Sequence, residues 1–316
     1  MERRGIAFGV AAYACWGLFP LYWPLLKPSG PTEILAHRIM WSLVAVLVML
    51  AAGRRWIRGL TWRTAGLLAA ASVMITVNWG VYIYAVNTGH TLDAALGYFI
   101  GPLVSVLLGV LVFRERLRRW QWASVALGAA AVVVLAVAYG RLPWIALVLA
   151  VAFGIYGLLK KFADTPSLES LAVETAVMFL PALAFAASLE VRGDAGFGHN
   201  GVLHAALMAG GGFVTAIPLL LFNSAAIRLP LSVIGMLQYL TPVLQFLIGL
   251  LIRHEAMPPE RWAGFVLVWA ALMALGADGL KARRQGRGAG AVHAAGNADA
   301  PGDARAAAKP STAPDA

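Results

Sequence analysis

PLVSVLLGVLVFRERLRRWQWA (residues 102–123) and PVLQFLIGLLIRHEAMPPERWA (242–263) are one pattern written twice, 140 positions apart and without a gap. Pro102, Leu107, Gly109, Leu111, Glu115, Trp122 and Ala123 recur as Pro242, Leu247, Gly249, Leu251, Glu255, Trp262 and Ala263. The chain therefore reads as a duplication. Around Glu115 stand Arg114, Arg116, Arg118 and Arg119, whereas Glu255 keeps only Arg253 and His254 and is followed by Pro258, Pro259 and Glu260. In a membrane, loops on the cytoplasmic side carry the excess of Lys and Arg, so the difference sets the two copies on opposite faces. Inverted-topology repeats are frequent in secondary transporters.

Composition supports a membrane setting independently. Hydrophobic residues make up 60% and charged residues 13% of the chain, and mean hydropathy is +0.75. A bilayer crossing takes about 20 apolar residues. Runs of that kind cover 5–26, 33–53, 65–87, 92–112 and 122–139, then 144–160, 168–189, 203–227, 230–252 and 262–280. The expected fold is an all-α integral membrane protein with ten transmembrane helices in two inverted five-helix repeats, residues 1–139 and 140–280. An odd number of helices per repeat makes the second repeat enter from the opposite side. No room remains for a soluble catalytic domain.

The net charge of +10 follows the same topology. With the amino terminus inside, cytoplasmic segments hold Arg3, Arg4, Arg54, Arg55, Arg58, Arg63, the four arginines around Glu115, Lys160, Lys161, Arg228, Lys281, Arg283, Arg284 and Arg287. Outside segments hold Lys27, Arg141, Arg192, Arg253 and Arg261, an imbalance of 17 to 5 that orients both termini inward. Nucleic acid is not needed to explain the charge and is not an expected partner; membrane lipid is. The basic start and first apolar run continue through Trp16, Pro20, Trp23 and Pro24 with no convincing cleavage site, so they read as an uncleaved first helix. Cys15 is the only cysteine, which rules out an intrachain disulfide or a cysteine metal cluster. Residues 281–316 turn to Gly, Ala, Pro and Asp, the composition of a disordered cytoplasmic tail.

AYACWGLFP (12–20), EILAHRIMWS (33–42), Asn78-Trp79 and LGYFIGPL (96–103) resemble the EamA-like part of the drug/metabolite transporter superfamily, and within it the RarD-like group. FGIYG (153–157), Glu174-Thr175, TAIPL (215–219) and GMLQYLTP (235–242) extend the resemblance through the second half, from about residue 5 to 279. The second half departs from the first at YGLLKK (156–161), which lacks the Trp-Gly and Pro20 of its counterpart, so the halves are not expected to act identically. The resemblance implies secondary active export of small organic metabolites or drugs, with chloramphenicol among the candidates and protons as a possible coupling ion. Facilitated exchange of amino or organic acids fits the residues equally well. The other classes weighed are a membrane interaction protein and an integral-membrane enzyme. The enzyme would need a metal cluster, or a nucleophile with its base, and neither pattern is present. His254-Glu255 opens like a zincin motif, but position 258 is Pro258. No Gly-Lys-Ser/Thr phosphate loop and no cofactor motif stands in the sequence.

Arg38 stands out because it lies about five residues into the second helix, roughly 7 Å deep at 1.5 Å per residue. A central arginine costs about 2.5–3.5 kcal/mol on insertion scales. It either snorkels to the interface or faces a protein-lined cavity, where with Trp41 it would suit a carboxylate or another electron-rich group. The expected substrate site adds Trp16, His37, Asn78, Trp79, Tyr98, Gln238 and Tyr239. Asn78, Thr215, Asn223, Gln238 and Gln245 equally suit interhelical hydrogen bonding, and Tyr13, Tyr82 and Tyr156 complete the aromatic supply. Glu174 lies at membrane depth, where ionisation is disfavoured, and fits either proton coupling or helix packing against Lys160 or Lys161. Pro20, Pro102, Pro218 and Pro242 each remove a backbone donor and mark candidate hinges. Glu115 and Glu255 read as helix-start acids. No metal site is expected.

Overall fold

The computed structural model describes residues 2–53, 60–114, 116–117, 119–226, 228–229, 233–234 and 237–277. Regular structure among these residues is entirely helical. That is the solution open to an apolar chain with no closed barrel, because a helix satisfies its own backbone groups where water is absent. The elements are α1 (Glu2–Gly17), α2 (Phe19–Tyr22) with a following 3-10 turn (Trp23–Leu26), α3 (Pro31–Ala52), α4 (Trp62–Asn87) and α5 (Thr91–Phe113). Then come α6 (Arg119–Tyr139), α7 (Trp144–Ala163), α8 (Ser167–Arg192), α9 (Val202–Ala226), α10 (Leu240–Leu247) and α11 (Pro259–Ala277). A π-helical stretch, Ile248–Ile252, prolongs α10.

Eight of these helices are long and apolar enough to cross a membrane, and a ninth span is formed if α1 and the segment Phe19–Leu26 count as one. That pair bends by 41°. The bend follows from Pro20 in the first turn of α2, which has no N–H to continue the ladder of α1. The run 230–252 begins outside the described residues, and its longest described helical part is Leu240–Ile252. Glu115, Arg118, the arginines at 54, 55 and 58, and the tail 281–316 also lie outside them.

The two halves of the chain pack by exchange. Helix α1 rests on α9 and α10, and reciprocally α7 rests on α4 and α5, while α3 packs on α8 and α9. Helices α3 and α8 run antiparallel. Glu33, at the start of α3, accepts hydrogen bonds from Gly196 N (2.7 Å) and Phe197 N (2.9 Å), just past the end of α8. At the other end, Ala45, Val46 and Leu50 of α3 pack with Leu168, Leu171 and Ala172 from the start of α8. Two glycines permit close approach across the halves. A Cβ on Gly97 would lie 2.8 Å from Ala146 O, and one on Gly212 would lie 2.2 Å from Trp41 O.

One end of the bundle is tied by polar contacts between loops far apart in sequence. His204 Nε2 donates to Leu26 O (2.9 Å), Arg253 Nη2 donates to Val86 O (3.0 Å), and Arg261 Nη2 meets Asp93 Oδ1 (3.1 Å). Glu255 accepts from Thr91 N (2.6 Å) and Leu92 N (2.9 Å). This corrects the reading of Glu255 as the acid of its own following helix. Its carboxylate caps α5, where unpaired N–H groups and the positive end of the helix dipole attract negative charge.

Candidate functional site

Helix α3 carries Arg38 into the interior, where the residue is only 4% exposed, so it does not snorkel to an interface. Its guanidinium carbon lies 4.0 Å from the Trp79 ring centre, 4.8 Å from Trp23 and 5.7 Å from Phe19. Nε donates to Thr215 Oγ1 at 3.0 Å, and that hydroxyl in turn donates a hydrogen bond to Gly211 O at 2.9 Å. Nη1, by contrast, is buried without a hydrogen-bond partner. Among the described residues no carboxylate forms an ion pair with Arg38. Desolvated cation–π contact is worth about 2 kcal/mol and a charged hydrogen bond about 1.5–3 kcal/mol, while an unmet buried donor costs about 1–3 kcal/mol. The site is thus held by aromatic faces but retains unspent hydrogen-bonding capacity.

Asn78 and Tyr98 belong beside it. Tyr98 OH donates to Asn78 Oδ1 (3.0 Å), Asn78 Nδ2 donates to Leu149 O (3.1 Å), and Tyr98 lies 5.7 Å from Tyr82, edge to face. Trp16 packs with Tyr13 and Phe222 and, in part, against the cluster that holds Trp23 and Tyr82. His37 and Trp41 turn instead toward Phe197, the former stacked at 4.3 Å and the latter tilted at 6.2 Å. Gln238 is exposed, and Tyr239 borders an open apolar groove with Phe99, Trp269, Leu272 and Met273, so neither joins Arg38. Phe19 and Trp23 were given no site role by the sequence reading, and Tyr82 only a place in the general aromatic supply. Tyr82 had a usable signal, since it shares a helix face with Asn78 and Trp79 by the three- and four-residue spacing.

Two consecutive stretches, residues 3–137 and 142–276, match the model of the EamA-like transporter family. The chain belongs to that family. It is 57% identical to the protein RarD of Streptomyces exfoliatus, over 90% of this chain and 92% of the relative. It is 42% identical to an uncharacterized transporter, YojE, of Bacillus subtilis, over 86% of this chain and 93% of that one. A chloramphenicol-sensitive protein RarD of Pseudomonas aeruginosa is 29% identical over 90% of this chain and 97% of its own length. A solved crystal structure with 20% identity superposes at a TM-score of 0.57, covering 90% of this chain and 99% of that one, and supports the fold. The protein is a RarD-like, multi-pass membrane member of a transporter family.

In this RarD-like protein the buried acid of α8, Glu174, is engaged by three donors. Glu174 accepts from Lys160 Nζ (3.0 Å) and Ser170 Oγ (2.6 Å) on Oε1, and from Tyr156 OH (3.2 Å) on Oε2. Lys160 also bonds Ser170. The cluster joins the last turns of α7 to the first turns of α8, matching the packing alternative for Glu174. Among the described residues no group of three His, Cys, Asp or Glu side chains is arranged to hold a metal ion. Of the candidate hinges, Pro20 sits at the α1–α2 break, Pro102 and Pro218 lie within α5 and α9, and Pro242 lies in α10 ahead of its π-helical stretch.

Proposed function

We propose that the chain is a secondary exporter of small organic metabolites or drugs, built from ten membrane spans in two inverted five-helix repeats, with Arg38 recognising an electron-rich group of the cargo. The observation that carries this reading is a buried guanidinium held by aromatic rings, lacking an acidic partner among the described residues and keeping an unmet donor. Reciprocal packing of α1 on α9 and α10, and of α7 on α4 and α5, supports a two-fold relation between the halves. The antiparallel course of α3 and α8 supports an axis in the membrane plane, because a relation about the membrane normal would make these counterparts parallel. Both termini are cytoplasmic in this reading, and the end tied by Glu33 and Glu255 is the outer one. Rocking of the repeats would expose the site to each side in turn.

Facilitated exchange is the second reading. It is favoured by Glu174 already being bonded to three donors, which leaves it less suited to shuttle a proton. Purified protein in vesicles, screened for movement of amino acids, organic acids and chloramphenicol with a pH-sensitive dye inside, separates the readings. Export with counterflow of protons supports the first, and trans-stimulated movement without protons supports the second. For any cargo found, Arg38→Ala is expected to lower affinity by about 10- to 150-fold, the worth of one charge-assisted contact. Arg38→Lys should recover only part of it, because an ammonium lacks the planar five-donor fork. Unchanged movement in both variants would remove Arg38 from recognition.

A further inference from the structure

Arg38 Nη1 is not alone. Trp23 Nε1, Tyr82 OH and Ser42 Oγ are also buried without a hydrogen-bond partner, and the residues carrying these four atoms are 0–4% exposed. Such atoms are rare in folded proteins, and each calls for an explanation. Their positions supply one. The Trp23 ring lies 4.8 Å from the guanidinium carbon. Ser42 follows Arg38 by one helical turn on the same face of α3. Tyr82 packs in one hydrophobic cluster with Trp23 and Phe19, and on α4 it follows by one turn Trp79, whose ring lies 4.0 Å from the guanidinium carbon. By contrast, Tyr22 and Tyr98, at the edges of this group, are satisfied by Leu207 O and Asn78. Of the eleven such atoms among the described residues, these four therefore belong to residues on the helix of the cation or in the aromatic cluster beside it.

We infer that Trp23, Arg38, Ser42 and Tyr82 form a donor set for a single carboxylate, with Trp23 and Tyr82 as specificity-determining residues of the cargo site. The inference rests on the transporter reading above and deepens it. Indole N–H and guanidinium can only donate, so the missing partner must supply acceptors. This excludes a metal ion or an ammonium group as the occupant of that point. Two carboxylate oxygens offer about four lone-pair sites, enough for the four groups to donate. The surrounding rings of Phe19, Trp23 and Trp79 suit an apolar or aromatic body next to the acid.

The test exploits an asymmetry. A buried hydroxyl that serves the fold stabilises it, whereas one that waits for a ligand destabilises the empty protein. Tyr82→Phe and Trp23→Phe, with Tyr84→Phe on the exposed side of α4 as control, would be compared with wild type in detergent by thermal unfolding. Each protein would be measured alone and with acetate, benzoate, phenylacetate and their methyl esters. Acids, and not esters, are expected to stabilise wild type. Tyr82→Phe should be no less stable than wild type when empty, and should need about 10-fold or more acid for the same stabilisation. Lower stability of empty Tyr82→Phe with an unaltered acid response overturns the inference, as does a wild type that responds to no acid or responds equally to esters. If Arg38→Ala abolishes the acid response while Tyr82→Phe and Trp23→Phe do not, only this inference fails. If Arg38→Ala leaves both response and transport intact, the transporter site itself is elsewhere.

Discussion

A residue's depth in the membrane does not decide its role; its partners do. Arg38 and Glu174 are both buried charges in apolar runs, yet the first has one hydrogen bond and the second has three donors. The Lys160–Glu174 pair is held with the lysine side chain 20% and the glutamate 1% exposed, so the glutamate bears most of the desolvation. Removing the negative charge would leave Lys160 without an ion-pair partner, with only Ser170, the Tyr156 ring and a neutral amide oxygen beside it. For Glu174→Gln we expect lower thermal stability in detergent; if Glu174 also carries a coupling proton, substrate-driven proton movement is lost while exchange of labelled for unlabelled cargo is retained. Proton movement that survives the substitution would make Glu174 purely a packing acid. Arg38 was legible in the sequence because a cation inside an apolar run is conspicuous. Trp23 was not, and Tyr82 was visible only as one aromatic among several, since a membrane protein holds many aromatics and only the fold tells which of them keep an unmet polar atom.

At the scale of elements, the site depends on how closely α3 and α9 approach. Gly212 lies against the backbone of Trp41 and Ser42, one turn from Thr215 and its bond to Arg38. A methyl group there would sit 2.2 Å from a carbonyl oxygen, and backbone cannot swing aside as a flexible side chain can. Gly212→Ala should push the helices apart, break the Arg38–Thr215 bond and weaken cargo affinity about as much as loss of a charged hydrogen bond, about 10-fold or more. Gly210→Ala, whose nearest new neighbour would be Tyr22 OH at 3.4 Å, should be far milder in the same binding assay. Glycines stand at 210, 211 and 212, and the sequence alone does not tell which of them makes the approach. Gln238 and Tyr239 misled for a related reason. They precede Pro242 and the π-helical stretch, where the regular helical period cannot tell an inward face from an outward one.

At the scale of the molecule, hydropathy and the repeat made the helical fold readable, because long apolar runs have few alternatives in a bilayer. The tie between Glu255 and the start of α5 joins positions 164 residues apart, and no local pattern announces it. Orientation is open to direct measurement. Cys15→Ser gives a cysteine-free background, since Cys15 is the only cysteine. In it, Leu117→Cys should react with a membrane-impermeant thiol reagent from the cytoplasmic side alone, and Pro259→Cys from outside alone. Labelling of both from one side would defeat the inverted arrangement.

The exchange packing of α1 on α9 and α10, and of α7 on α4 and α5, also governs how the chain can be made. As translation proceeds from the amino terminus, the helices of the first half enter the bilayer before the ones they are shaped to meet exist. Until the second half arrives, Arg38 has neither Thr215 nor Gly211 near it, and the small-residue seam at Gly97 faces lipid in place of Ala146. The nascent half is therefore an incomplete object, exposed to quality-control proteolysis during synthesis. Fragments 1–141 and 142–316 produced separately should be degraded, and produced together in one cell should rescue each other into an active protein, as judged by abundance and transport.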